Sequence, residues 1–266
     1  MTKIILITGS TDGIGLETAK LLAAAGHTIL LHGRSSSKLE AAAETVRGVT
    51  GAGIVEAYKA DLSRLSEVQE LAKAVAAKHE TLDVLINNAG VYNAAEPRTA
   101  DGLDIRFAVN TIAPYLLMQR LLSSLGKGGR VVNLSSAAQA PVDLSALVGK
   151  RPLADGAAYA QSKLALTAWT RGVADRFKET GPVVVAVNPG SLLGSKMVRD
   201  AFGIAGGDLR IGADILVRAA LSDEFGTASG QYFDNDSGGF AAPHPDGLDS
   251  TKIESIVSAI DEIISK

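Results

Sequence analysis

The sequence has no cysteine among its 266 residues. That excludes disulfides, thiolate nucleophiles and zinc-thiolate centres. It also has no apolar run near the 18 or so residues of a membrane span. Met1 leads straight into a strand-like run, so no secretory leader is expected and the chain reads as a cytoplasmic domain of enzyme size. There is no excess of positive charge. The formal net charge of −3 leaves no basic footprint for nucleic acid. Histidine is scarce, and His27, His32, His79 and His244 form no pair at metal spacing, so they read as surface or loop residues and no metal is expected. Asp234-Asn235-Asp236-Ser237-Gly238 starts like a calcium loop. It carries Gly238 and Pro245 where ligands five and twelve belong, which rules the loop out.

What is present is an alternation. Short apolar runs at Lys3–Thr8, Thr28–Leu31, Ile54–Lys59, Val84–Ile86, Arg130–Leu134 and Val183–Val187 are the pattern of strands buried on both faces. Gly230–Asp234 makes a possible seventh strand. Helical segments intervene, one of them opened by Ser63 with Glu67 close behind. The segment Leu103–Leu125 holds Pro114, where a kink or break is expected. Such alternation predicts an α/β, doubly wound Rossmann fold with a mainly parallel sheet of about seven strands, in one domain over 1–266. Two long irregular stretches stand out, 137–156 and 237–247.

The ligand crevice of such a sheet lies beyond the carboxyl ends of its strands. There the first strand runs into Thr8-Gly9-Ser10-Thr11-Asp12-Gly13-Ile14-Gly15, which opens a helix. Glycines allow a tight turn and close backbone approach, and a helix amino end attracts phosphate, so a dinucleotide is expected. Asp12 is out of place beside phosphates and is better suited to capping the helix. The second strand ends Leu31-His32-Gly33-Arg34-Ser35, with a guanidinium and no carboxylate. Arginine fits a 2′-phosphate and gains little on a bare ribose, which points to NADP(H) ahead of NAD(H).

Tyr159-Ala160-Gln161-Ser162-Lys163 begins a helical run, Ala157 to Phe177. Residues four apart share a helix face, so the phenol and the ammonium can meet. Bringing a phenol from its usual pKa near 10 to neutrality takes roughly 4 kcal/mol, which one ammonium about 4 Å away supplies at an effective dielectric of about 20. Such a pair makes an acid/base catalyst. Taken alone it is also a common exposed helical pair.

Taken together, the glycine turn, Asp61-Leu62, Asn87-Asn88-Ala89-Gly90, Asn110, Asn133-Leu134-Ser135-Ser136, Tyr159-x-x-x-Lys163 and Asn188-Pro189-Gly190-Ser191 resemble the short-chain dehydrogenase/reductase family over nearly the whole chain. The resemblance implies Tyr159 as acid/base and Lys163 as the holder of the nicotinamide ribose. It implies that Ser136 binds the substrate oxygen and that Asn110 places Lys163 through a water. Asp61 and Leu62 would face adenine, Asn88, Ala89 and Gly90 the ribose, and Pro189, Gly190, Ser191 and Leu192 the nicotinamide. Ser136 stands 23 residues before Tyr159 instead of the usual dozen or so. The extra segment, part of 137–156, is similar to that of the retinol dehydrogenase and WW-domain oxidoreductase branch. It leaves Ser135 as a rival to Ser136, and only one of two neighbouring strand residues can face the substrate.

The expected protein is an NADP(H)-dependent oxidoreductase of carbonyls or alcohols. The alternatives are an NAD(H) enzyme of the same family and a non-catalytic dinucleotide-binding regulator. Residues 193–210 would form a substrate flap whose apolar set, Met197, Val198, Ala201, Phe202 and Ile204, covers a hydrophobic substrate or simply packs on the domain. The family implies a homodimer or homotetramer formed through the helices of Tyr115 and Tyr159.

Overall fold

The computed structural model of the chain describes residues 1–178 and 180–266. In chain order it runs β1 (Ile4–Ile7), α1 (Gly13–Ala24), β2 (Thr28–Gly33), α2 (Ser36–Arg47), β3 (Val55–Lys59), α3 (Leu65–Lys78) and β4 (Val84–Asn87). Then come α4 (Ile105–Phe107), a π-turn (Ala108–Ile112), α5 (Ala113–Leu125), β5 (Arg130–Leu134), α6 (Leu144–Leu147), α7 (Asp155–Phe177) and β6 (Val183–Asn188). The chain closes with α8 (Lys196–Phe202), α9 (Leu209–Leu221), β7 (Tyr232–Asp234), β8 (Gly239–Ala241) and α10 (Ser250–Ile264), with two short 3-10 turns at Asp223–Phe225 and Pro245–Gly247.

Successive strand residues face opposite sides, so even wholly apolar strands divide their side chains between two cores. Leu6, Leu30, Leu85, Val131 and Val184 join the layer of α3, α5, α7 and α10. Ile5, Ile7, Ile29, Leu31, Ile86, Val132 and Val185 join the layer of α1, α2 and α9. The sheet order is β3-β2-β1-β4-β5-β6-β7-β8, parallel from β3 through β7. β1 pairs with both β2 and β4, so the winding reverses there and opens the crevice where ligands bind such sheets.

Among the described residues the sheet has eight strands, one more than the sequence suggested. The extra strand is β8, antiparallel to β7, inside the stretch expected to be irregular. Phe240 explains it: its ring lies 5.1 Å from Phe225 and 5.2 Å from Phe233, and Gly238 at φ +76 makes the turn. The expected break near Pro114 is a π-turn instead. The Ala113 amide reaches back five residues to the Ala108 carbonyl, and Pro114, which has no N–H to give, follows at the start of α5. Asn110 sits in the middle of that turn.

α10 lies along α7 on the side away from the sheet. Ile253, Ile256, Val257 and Ile260 are its buried stripe. A Cβ on Gly172 would stand 2.7 Å from Ile253, so the glycine lets the two helices close up. The Tyr115 hydroxyl donates to Asp261 at 2.7 Å, and its ring meets the buried Trp169 edge-on at 5.3 Å. Tyr115 and Trp169 are therefore packing residues of this chain. No helix among the described residues is long and apolar enough to cross a membrane.

Candidate active site

A cleft of about 670 Å³ opens at the carboxyl ends of the strands. Its walls include Gly9, Thr11, Asp12, Gly13, Ile14 and Gly15, then Arg34, Asp61 and Leu62, then Asn88, Ala89 and Gly90, then Pro189, Gly190, Ser191 and Leu192, with Ser136, Tyr159 and Lys163 at one end. Two expected residues, Ser10 and Asn110, do not line it. Both are buried directly behind the wall.

The glycine turn is tied down from behind. Gly9 has φ +64, and a Cβ there would come within 2.8 Å of Ala89 Cα. The Asn88 side chain donates to the carbonyls of Thr8 and Gly9 at 2.8 and 3.0 Å, while Thr8 Oγ1 accepts from the amides of Asn88 and Ala89. Asp12 caps α1, its carboxylate accepting from Gly13 N at 2.7 Å. Gly13 has φ +59 and open space in front of it, the nearest atom to a Cβ being 3.8 Å away. The amides of Ile14 and Gly15, in the first turn of α1, have no carbonyl partner within the helix. This cradle fits a diphosphate: free amides, a helix amino end and no side chain in the way. On the far side Arg34 is exposed, without an ion-pair partner among the described residues. Ser63 and Glu67 do not cap α3 as expected. Ser63 donates to the Asp61 carboxylate and Glu67 accepts from the Asp61 amide, so together they brace the Asp61-Leu62 wall.

At the other end, α7 presents Tyr159 and Lys163 one turn apart. Lys163 is buried, donates to the Leu134 carbonyl at 2.7 Å, and lies 5.6 Å from the Tyr159 ring centre. Burial lowers its pKa to about 8. Tyr159 departs from expectation. Burial holds its phenol above the usual value, a hydrogen bond with Ser136 pulls it down and Tyr92 pushes it up. Desolvation therefore outweighs any pull from the ammonium, which is spent on a carbonyl, and the phenol stays protonated at neutral pH. Asn110 is fully engaged: its Oδ1 accepts from Val91 N at 2.8 Å and its Nδ2 donates to Val91 O and Ser162 Oγ. A Cβ on Gly90 would sit 3.7 Å from both Asn110 Oδ1 and Lys163 Nζ, so the bare glycine keeps this corner open.

The two serines part company as neighbouring residues on an extended strand should. The Ser135 hydroxyl is buried against Thr167 Oγ1 at 2.6 Å. Ser136 is turned toward Tyr159, and its carbonyl accepts from Gln139 and Tyr232.

Several site residues were not foreseen. The ring of Tyr92 lies 4.9 Å from that of Tyr159 and 5.5 Å from that of Phe202, which belongs to α8. Residues 193–207 form a loop closed at its neck by Gly194 N to Gly207 O at 2.7 Å and Gly207 N to Leu192 O at 2.8 Å. α8 has no buried residue, and its Met197, Val198 and Phe202 line the cleft and do not pack into a core. The set-aside Asp234–Asp236 segment also has a task. Asp236 accepts from the Ser191 amide and hydroxyl and from Asn188, and Asn235 donates to Pro189 O, so the β7–β8 turn clamps the 188–191 loop. These hydrogen bonds hold the Asp236 carboxyl below its ordinary pKa.

A family model described as short chain dehydrogenase matches residues 3–202. The chain belongs to the short-chain dehydrogenase family. It is 34% identical over 251 residues to human retinol dehydrogenase 13, a match covering 87% of this chain and 76% of that one. It is 39% identical over 204 residues to bovine retinol dehydrogenase 12, covering 75% of this chain and 64% of the relative. These relatives place it in the retinol dehydrogenase branch. Among solved structures, an uncharacterized protein from Mycobacterium Paratuberculosis superposes with TM-score 0.82 at 27% identity, covering 99% of this chain and 94% of that one. A short chain dehydrogenase from Shigella flexneri, complexed with NADP, gives TM-score 0.68 at 27% identity, covering 88% and 97%.

This short-chain dehydrogenase departs from expectation at one histidine. His27, His79 and His244 are half-buried, but His32 is a core residue of β2, 3% exposed. Burial lowers its pKa to about 4, against an opposing pull from Asp61. The folded protein therefore binds fewer protons than the unfolded chain between pH 6.5 and 4, and stability falls as pH drops through that window. The full loss from this group is about 3 kcal/mol. Urea unfolding across that window should show the fall in wild type and less of it in His32→Asn.

Proposed function

We propose that this cytoplasmic short-chain dehydrogenase is an NADP(H)-dependent oxidoreductase that passes a hydride between nicotinamide and the carbon of a carbonyl or alcohol, with Ser136, Tyr159, Lys163 and Asn110 as its active site. The observation that carries the reading is the cleft itself: an amide cradle at one end and a half-buried phenol with a buried amine at the other. Solved relatives in complex with NADP support the cofactor. The oxidised nicotinamide ring accepts a hydride and the reduced ring donates one.

The chain's own residues do the rest. Ile14 and Gly15 would offer amides to the diphosphate, with Gly13 leaving the approach open, Arg34 would offer a guanidinium to a 2′-phosphate, and Asp61 and Leu62 would wall the adenine. Asn88, Ala89 and Gly90 would border the ribose, and Pro189 to Leu192 would border the nicotinamide. Lys163 would hold the ribose hydroxyls. Tyr159 and Ser136 grip one oxygen, and Tyr159 gives it a proton in reduction or takes one in oxidation. A phenol held protonated suits reduction directly, because it enters the step already carrying the proton it must give. Tyr92, Met197 and Phe202 make the substrate side apolar, which suits a hydrophobic substrate, and the α8 flap can cover it. A homodimer or homotetramer of this chain would have to form around α10, which occupies the outer face of α7.

Turnover of a panel of ketones, aldehydes, quinones and alcohols with each cofactor tests the reading. NADPH-dependent reduction of at least one carbonyl is expected, and no turnover of any member with either cofactor would defeat it. Ser136→Ala should lower kcat by about 100-fold. Ser135→Ala, which removes the buried bond to Thr167 and the longer one to the Lys163 carbonyl, should lower stability by about 1 kcal/mol and leave kcat nearly unchanged. The reverse pattern would exchange their roles.

A further inference from the structure

His32 takes no part in the proton or hydride chemistry, yet its ring bonds directly to the amide that begins the glycine turn. Its ring is buried at the end of β2 with both nitrogens engaged. Nδ1 is 3.1 Å from the Gly9 amide, and Nε2 is 3.1 Å from the Ala60 carbonyl. An amide only donates and a carbonyl only accepts, so the partners assign the tautomer: Nε2 carries the proton and Nδ1 accepts. The backbone of the same residue also holds Ser10. The Ser10 amide donates to His32 O at 3.0 Å, and Ser10 Oγ accepts from His32 N at 2.9 Å.

The first two amides of the turn are therefore turned inward, onto one histidine. Gly9 is pressed against Ala89 on its other side, so the turn cannot shift that way. The amides left to face the cleft belong to the run from Thr11 to Gly15, the cradle proposed for the diphosphate. The second ring bond goes to Ala60, the residue before Asp61, so one imidazole links the phosphate turn to the adenine wall.

On the cofactor reading above, we propose that His32 is a positioning residue for the dinucleotide: the Ala60 carbonyl fixes its tautomer, and its Nδ1 holds the Gly9 amide inward so that the glycine turn is shaped for a diphosphate. Two features of the site separate this from general core packing. The effect belongs to cofactor affinity, because Tyr159 and Lys163 stand at the far end of the cleft. It also belongs to one nitrogen. Asparagine places an acceptor where Nδ1 stands, whereas glutamine places its amide nearer Nε2 and leaves the Gly9 amide without a partner.

Fluorescence titration of the full chain with NADPH tests this in wild type, His32→Asn, His32→Gln and His32→Leu, with melting temperature and kcat at saturating NADPH measured on each. We expect His32→Asn to bind NADPH nearly as tightly as wild type, and His32→Gln and His32→Leu to bind about tenfold more weakly, the worth of one buried hydrogen bond. kcat should stay near the wild-type value in all variants. Equal affinity in the Asn and Gln variants would overturn the proposal, as would a fall in melting temperature with no change in affinity. Nitrogen-15 NMR of the wild-type imidazole keeps the test open if a variant does not fold: Nε2 protonated and Nδ1 bare supports it, and the opposite tautomer overturns it. A wild-type chain that binds neither NADPH nor NADH would instead sink the cofactor reading, before any variant is made.

Discussion

Replacing Tyr159 by phenylalanine is expected to lower kcat by about a thousandfold, the range of a lost general acid/base. Affinity for NADPH should hardly change. The substitution keeps the ring, which packs on Tyr92 at 4.9 Å and under the Lys163 ammonium at 5.6 Å, and removes only the hydroxyl. Steady-state kinetics with a binding titration separate the two effects. The pH dependence follows from the same group. Burial holds the phenol above its ordinary pKa, so the proton-donating form persists through neutrality. Carbonyl reduction should therefore stay level across neutral pH and decline on the alkaline side. Near-normal turnover by Tyr159→Phe would remove the phenol from the mechanism.

Arg106→Met is the second large effect. The Arg106 guanidinium is 1% exposed and joins two carboxylates, Asp104 at 2.6 Å and Asp155 at 2.5 Å. Asp155 is the first residue of α7, four before Tyr159, so this ion pair pins the start of the catalytic helix to α4. Removing one member of a buried pair strands the other charge. Asp155 is half exposed and Asp104 is nearly buried, so the expected loss is about 3 kcal/mol, at the low end for such pairs. Urea unfolding should show a lower midpoint with an unchanged slope, and kcat should fall with it as Tyr159 loses its fixed approach. An unchanged midpoint would show that the pair adds nothing to stability.

Much of this was legible before any coordinates. Wholly apolar strands can only be buried on both faces, and their alternation with helices leaves little choice but a doubly wound sheet. The cleft residues were legible because turns that approach a ligand closely must be built from glycine and small polar residues at strand ends. What escaped was whatever depends on a distant partner. His32 follows Leu31 and reads as the first polar residue of a loop. Only β1 and β3 on either side make it a core residue, with Gly9 and Ala60 as its partners. β8 is three residues long, follows Gly238 and begins on Gly239, and Phe240 finds its place only against Phe225 and Phe233. The sign of the Tyr159 shift could not be read from an i, i+4 spacing, since it turns on how deeply α7 buries the phenol. The stripe of α10 was different: Asp249 as cap, then Ile253, Ile256, Val257 and Ile260 at helical spacing, was a readable signal that went unused.

The claim beneath all of this is that the cleft at the sheet's switch point takes a phosphorylated dinucleotide, with Arg34 on its 2′-phosphate. Calorimetric titration of the wild-type chain with NADPH and with NADH measures that most directly. The structure predicts NADPH to bind tighter by about tenfold or more, the worth of one charge-assisted contact to phosphate. Tighter binding of NADH, or no binding of either, would contradict it.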